Sequence, residues 1–493
     1  MNVNVISFLI SSNHHLFPNK MVMIVGTVAT LSLLAFKGLM PPLGRMGPTP
    51  RMSVSHSSLS SYLDSLEVHE LPAGFQCGVH GFRFEPAELG GRKTAVMNLT
   101  VLALDAPTDD WAAVFTRNIF PGAPVKVGRA RLAGGGALQA VVINNKISNV
   151  CSAGDGVMAS EAVCNGVADA LKLSGGAEAV LPLSTGVIGW QLPVERMLEE
   201  LPAAARTLKR GSALPAAKSI CTTDRFPKLR SVRACGGTIT GFAKGAGMIE
   251  PNMATMLAFV LTDVAVPRAA LRTMLGRAAD ASFNCASVDA DQSTSDSLVC
   301  LSSGASLGKP PLDAKGCAEF EAALTELCAR LAEDVVRNGE GTTHVIRVAV
   351  RGAPTEAIAR GAGKAVVNSP LFKSAVAGND PNVGRLVAAV GSYLGKVAPE
   401  LDLSACTMRM GGRTIFAKGA FSLDAATEDE LYEHMKGASL VNPVAGEPPS
   451  LPYPPHERCV EIEIDLAAGK AACTVHGSDL TQEYVSINAD YRS

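Results

Sequence analysis

Short apolar runs alternate along the chain with stretches whose apolar residues recur at helical spacing, and glycine-rich turns divide them. "TAVMNLTVLAL" (94–104) and "LQAVVINN" (138–145) read as strands. "SEAVCNGVADALKLS" (160–174) has the spacing of a helix, with Ser160 available as N-cap. "MLAFVLTDVAV" (256–266) is apolar at nearly every position, as a strand buried on both faces is, and "RAALRTMLGRAADASFN" (268–284) after it reads as a helix. "CAEFEAALTELCARLAEDVVRNGEG" (317–341) predicts a long helix closed by a glycine turn, followed by a strand over "THVIRVAVRG" (343–352). The stretch from Arg458 to Tyr491 alternates strongly and predicts a terminal antiparallel group, with "NPVAGEPPSLPYPP" (442–455) as the loop before it. No internal repeat or heptad run is present. The pattern predicts an α/β protein with sheets covered by helices.

A length of 493 residues implies two or three domains, and a hydrophobic share of 47% implies a sizeable core. The formal charge of -2 argues against a nucleic-acid or anionic-membrane partner. Twelve cysteines are scattered without C-x-x-C or zinc spacing, which predicts free thiols in a reducing compartment and no metal. The N-terminal segment differs from the rest. It has no acidic residue before Asp64 but carries Lys20, Lys37, Arg45 and Arg51. Its apolar run "MVMIVGTVATLSLLAF" (21–36) is short for a membrane span. Residues 1–60 therefore read as an organelle-targeting segment that is removed, leaving no membrane anchor in the mature protein. The expected destination is the mitochondrial matrix, with the plastid stroma as the alternative.

Candidate chemistry centres on "EPNMATMLAFVLTD" (250–263), where Thr255 joins a polar turn to an apolar run. A threonine opening a strand is ordinary. Cleavage of the Ala254–Thr255 bond would change that, because the freed α-amine sits on the same residue as the hydroxyl. Its reference pKa of about 7.7–8.0 suits it to take the hydroxyl proton. "LPLSTGVIGW" (181–190) places a Ser-Thr-Gly turn after a strand, where backbone amides and the Thr185 hydroxyl can face a developing oxyanion or simply form a turn. "NGEGTTH" (338–344) holds Glu340 between glycines, as an ammonium partner, an acid/base or a solvated turn acid. "GAGKAV" (361–366) lacks the residues a phosphate-binding loop needs.

Taken together and in order, these segments resemble the ornithine acetyltransferase (ArgJ) family of arginine biosynthesis. The resemblance spans roughly Phe75 to Ser493 and rests on "FTRNIFPGAPV" (115–125), "STGVIG" (184–189), "CTTDRFPK" (221–228), "KGAGMIEPNMATML" (244–257), "SFNCASVDADQSTSDS" (282–297), "NGEGTTH" (338–344), "NSPLFKSAVAGNDPNVGR" (368–385) and "YVSINADYRS" (484–493). It implies a DmpA/ArgJ-like fold of stacked β-sheets covered by helices, with a smaller C-terminal α/β part. It also implies self-cleavage into an α chain (61–254) and a β chain (255–493), assembled as two of each.

The same resemblance assigns Thr255 as acetyl-accepting nucleophile, Thr185 and Gly186 as oxyanion hole, and Thr222 (or Thr223), Lys244, Glu340, Asn488 and Ser493 as substrate-binding residues. The implied reaction moves acetyl from N2-acetyl-L-ornithine to L-glutamate through acetyl-Thr255, with no metal or organic cofactor. Some members of the family also use acetyl-CoA as donor. A hydrolase of similar fold would use the same nucleophile with water as acceptor. A third reading is a non-catalytic binding or scaffold protein on this fold, motivated by the altered loop at 143–154. The chain departs from the family wording in that loop, "INNKISNVCSAG", where a glycine is lost. It departs also at Val383, where tryptophan is usual and looser packing is expected, and at Glu250, which adds a charge before the cleavage site.

Overall fold

In the computed structural model of the protein, which describes residues 55–250, 256–306, 310–441 and 450–489, the apolar runs pair into three sheets. Helix α1 (Leu59–Glu67), capped by the Ser58 hydroxyl on the Ser61 amide, leads into the antiparallel strands β1 (Phe75–Phe84) and β2 (Ala95–Thr108). Then come β3 (Trp111–Phe115), α2 (Ala123–Gly134), β4 (Leu138–Asn144), α3 (Gly156–Leu171), β5 (Val180–Ser184), α4 (Val194–Arg206), α5 (Leu214–Ser219), β6 (Lys228–Ala234) and β7 (Gly237–Lys244). Next are β8 (Leu257–Thr262), α6 (Arg268–Ala281), the short β9 (Ala286–Ser287), β10 (Ser297–Ser302), the long α7 (Ala314–Arg337) and β11 (Val345–Ala353). The chain continues through α8 (Glu356–Val367), α9 (Pro370–Ala377), α10 (Val383–Val397), β12 (Thr407–Met410), β13 (Arg413–Ala417), β14 (Ala420–Phe421), α11 (Ala425–Gly437), β15 (Val460–Asp465), β16 (Ala471–Ser478) and α12 (Gln482–Ala489).

A four-stranded sheet, ordered β1-β2-β4-β5, stacks on a five-stranded one, ordered β3-β10-β8-β7-β6. Leu102, Val141, Leu181, Phe242, Phe259 and Leu301 fill the space between them. Helices α3 and α4 cover the outer face of the first sheet through Val163, Met197 and Leu201. Helices α6 and α7 cover that of the second through Leu271, Leu331 and Val335. The result is a helix–sheet–sheet–helix sandwich. Strand β8 lies at its centre and is buried at all positions, which is why its sequence is apolar throughout. A seven-stranded sheet, ordered β14-β13-β12-β15-β11-β16-β9, carries its own core with α8, α10 and α11. Stacked sheets under helices and a smaller C-terminal α/β part are the arrangement expected from the sequence.

Several boundaries differ from the sequence reading. Helix α3 starts at Gly156, because Asp155 accepts from the Val157 and Met158 amides; Ser160 lies inside the helix and donates back to the Gly156 carbonyl at 2.9 Å. The terminal strands are not neighbours. Strand β11 lies between them, parallel to β15 and antiparallel to β16. The "YVSIN" stretch is helical, because Thr481 Oγ1 accepts from the Tyr484 amide at 3.3 Å and starts α12. Alternating apolar residues report a half-buried strand but not which strand pairs with it.

Candidate active site

Lys244 ends β7, and its register partner is Leu257 at the start of β8. Leu257 also pairs with Ser297, whose amide donates to the Met256 carbonyl at 2.8 Å. Three strand ends therefore meet at one rim of the five-stranded sheet. The expected nucleophile Thr255, its cleavage partner Ala254, and Ser493 lie outside the described residues. At this rim opens a cavity of about 290 Å³. Its lining joins Thr185, Gly186, Thr222, Lys244, Glu340 and Asn488, drawn from five separate stretches of chain.

Thr185 follows β5, and its amide donates to the Asn144 carbonyl at 3.0 Å. Asn144 Oδ1 also accepts from Ser184 Oγ at 2.6 Å, so the turn is anchored to β4. Lys244 Nζ donates to Thr185 Oγ1 at 3.2 Å. A hydroxyl that accepts from an ammonium keeps its own proton for donation. Gly186 adopts φ +128°, and a Cβ there would lie 2.1 Å from the Lys146 carbonyl carbon, so the position demands glycine. The Gly186 amide meets no acceptor among the described residues. One hydroxyl and one amide are thus left as donors at the cavity wall, the pair a tetrahedral oxyanion requires.

Asp224, in the same block as Thr222, is fully buried behind this wall. It accepts from the Thr222 and Gly245 amides at 2.9 and 2.7 Å and pairs with Lys228. Burial pushes its carboxyl up, but Lys228, Lys244 and the Gly245 amide outweigh burial and hold it well below the usual carboxylate range. A permanent negative charge therefore sits behind Lys244.

Glu340 lies in the turn after α7 and is only 6% exposed, so its charge is directed into the cavity rather than to bulk solvent. Its amide donates to the Ala246 carbonyl at 2.8 Å, and its Oε2 accepts from Asn488 Nδ2 at 2.8 Å. A Cβ at Gly247 would lie 2.3 Å from that oxygen, so the missing side chain makes room for the carboxylate. Arg225 fastens the turn from behind, donating to the Gly339 and Thr342 carbonyls at 3.2 and 3.3 Å. A cation and an anion in one small cavity suit the charged ends of an amino acid.

Residues not singled out in the sequence also contribute. Ser148, Met248, Ser293, Thr294 and Ser295 line the cavity, alongside both expected alternatives Thr222 and Thr223. The Ser295 hydroxyl is buried without a partner among the described residues. Asp289 accepts from the Met248 and Ile249 amides at 2.6 and 2.8 Å and braces the turn leading to Glu250. The polar runs "NNKISN" and "DADQSTSDS" after or before apolar strands were the available signal, but spacing does not reveal which polar side chain faces inward.

The departures from the family wording have visible consequences. In the loop 143–154, Lys146, Asn149 and Cys151 take positive φ (85°, 54° and 48°) without being glycine. Asn149 Nδ2 compensates by donating to the Gly156 carbonyl and Ser160 Oγ at 2.9 and 3.0 Å. Glu250 is neutralised by Lys364 at 3.2 Å and accepts from Asn368 at 2.9 Å. Val383 is buried at the start of α10, in contact with the C-terminal core.

Residues 83–493 match the ArgJ family. The arginine biosynthesis bifunctional protein ArgJ of Bartonella quintana is 38% identical over 441 residues, covering 88% of this chain and 99% of that protein. The protein of the same name from Geobacter sulfurreducens is 38% identical over 424 residues, covering 84% and 100% respectively. Among solved structures, the Bacillus halodurans arginine biosynthesis bifunctional protein is 29% identical, with a TM-score of 0.40 over 47% of this chain and 97% of its own. The Mycobacterium tuberculosis ornithine acetyltransferase complexed with ornithine is also 29% identical, with a TM-score of 0.30 over 38% of this chain and 98% of its own.

Proposed function

The chain belongs to the ArgJ family, and on that premise we propose that it is an acetyltransferase of arginine biosynthesis moving acetyl from N2-acetyl-L-ornithine to L-glutamate. The observation that carries the reading is the convergence of Thr185, Gly186, Lys244, Glu340 and Asn488 on one cavity, beside the start of β8 at Leu257.

In the proposed mechanism the Ala254–Thr255 bond is cleaved autocatalytically. The new α-amine of Thr255, with a reference pKa of about 7.7–8.0, takes the hydroxyl proton as Oγ attacks the acetyl carbonyl. The Thr185 hydroxyl and Gly186 amide donate to the oxyanion. The C–N bond breaks, the leaving nitrogen takes the proton from the Thr255 ammonium, and ornithine departs from an acetyl-Thr255 ester. The neutral α-amine of glutamate then attacks that ester, giving N-acetylglutamate and restoring the hydroxyl. Lys244 and Glu340 hold the charged ends of both amino acids, with Thr222, Asn488 and Ser493 completing the binding wall. Acetyl-CoA is proposed as a second donor to the same ester. Two α and two β chains form the proposed assembly, in an organelle matrix, the mitochondrial one first, which imaging of a C-terminally tagged chain tests.

Intact mass spectrometry with acetylornithine is the decisive experiment. A chain starting at Thr255 is expected to gain about 42 Da and lose it when glutamate is added. A single uncleaved chain, or acetate released without glutamate, overturns the proposal. Acetyl-CoA in place of acetylornithine tests the second donor in the same assay.

A further inference from the structure

Away from the cavity, two thiols face each other across the edge of the seven-stranded sheet. Cys285 immediately precedes β9, and Cys473 lies on β16; their sulfurs are 3.4 Å apart. Strands β9 and β16 pair in parallel, Ala286 with His476 and Ser287 with Gly477, so sheet hydrogen bonding holds the two segments together. Cys285 is buried in the C-terminal core, whereas Cys473 is half-buried and nearer solvent. We propose that Cys285 and Cys473 are a modification site, a thiol pair that a peroxide oxidises to a disulfide joining the residue before β9 to β16.

The chemistry of the pair assigns the order of events. The hydrogen bond between the two sulfurs and the Arg360 guanidinium outweigh burial and hold the Cys473 thiol below its ordinary range. The Cys285 thiol is pushed up by the same hydrogen bond and by burial. Cys473, the sulfur nearer solvent and the one beside Arg360, is therefore the attacking thiolate, and the buried Cys285 the resolving thiol. The Cys473 thiolate attacks one oxygen of hydrogen peroxide; an S–O bond forms, the O–O bond breaks, and the released hydroxide combines with the thiol's proton as water. The Cys285 sulfur then displaces the hydroxyl from the Cys473 sulfenic acid; the S–S bond forms, the S–O bond breaks, and the Cys285 proton leaves with the hydroxyl as a second water. Two thiols are oxidised by two electrons and one peroxide is reduced. The sulfurs need to close from 3.4 Å to about 2.05 Å, a rotamer-scale movement.

The test uses the purified full-length protein, treated with hydrogen peroxide, alkylated after denaturation and mapped by peptide mass spectrometry. The expected result is a Cys285–Cys473 linked peptide, about 2 Da lighter than the two thiol peptides together and separated again by dithiothreitol. The exposed Cys151 serves as the internal control for peroxide delivery. Cys473→Ser is expected to leave Cys285 alkylatable, and Cys285→Ser to leave Cys473 carrying added oxygen. If Cys151 is oxidised while Cys285 and Cys473 both remain alkylatable in the unsubstituted protein, or if Cys473 links to another cysteine, the proposal falls. The unsubstituted protein decides the matter even if either serine variant fails to fold.

Discussion

A methyl group added at Gly186 would sit 2.1 Å from the Lys146 carbonyl carbon, against backbone that cannot yield cheaply. Gly186→Ala is therefore expected to lose acetyl transfer and to melt at lower temperature; turnover of acetylornithine and calorimetry check both, and unchanged turnover would remove Gly186 from the site. Asp224 makes a pH-dependent prediction. Its folded carboxyl is held below the unfolded value of about 3.9, so its pairing with Lys228 contributes stability present above about pH 4 and lost as the pH falls further. Asp224→Asn is expected to cost about 3–5 kcal/mol at neutral pH, with the gap to the unsubstituted protein narrowing at pH 3. Urea midpoints at several pH values measure it, and a gap independent of pH would refute the assignment. The site residues were legible in the sequence as members of ordered blocks. Asp224 was not, because four residues of separation from Lys228 say nothing about burial.

At the scale of elements, the turn after α7 is the part most exposed to perturbation. Arg225 reaches the Arg337, Gly339 and Thr342 carbonyls with one guanidinium nitrogen and so sets where Glu340 points. Lysine keeps the charge, but its shorter side chain and compact ammonium do not bring a donor to the same point. Arg225→Lys is expected to raise KM for the amino-acid substrates about tenfold, equivalent to about 1.4 kcal/mol, with a smaller change in kcat. A fall in kcat at constant KM would contradict this positioning role. The individual helices and strands were largely legible from periodicity. The end of the chain was not, since a capping threonine at 481 turned an alternating stretch into α12 and β11 inserted itself between β15 and β16.

For the whole molecule, the proposed cut falls between two strands of one sheet. Strand β7 pairs with β8 from Ile239–Thr262 to Lys244–Leu257, at the centre of the sandwich. Severing the bond between residues 254 and 255 leaves that ladder and both cores intact. The protein is expected to run as two chains on a denaturing gel, the smaller beginning Thr-Met-Leu, yet to elute as one species under native conditions. Thr255→Ala is expected to give one uncut chain of the same native behaviour. Separation of the two chains without denaturant would contradict the shared sheet.

By itself the sequence determined the local chemistry: which stretches are helix or strand, where a buried strand such as β8 must lie, and which residue types stand in the ordered polar blocks. Hydrophobic periodicity is a local property, readable over a dozen residues. Only the tertiary structure decided that Thr185, Lys244, Glu340 and Asn488 share one cavity, that Asp224 lies charged behind it, and that Cys285 meets Cys473. Those contacts join residues tens to hundreds of positions apart, and they follow from strand register and from the stacking of two sheets, neither of which is written in any single segment.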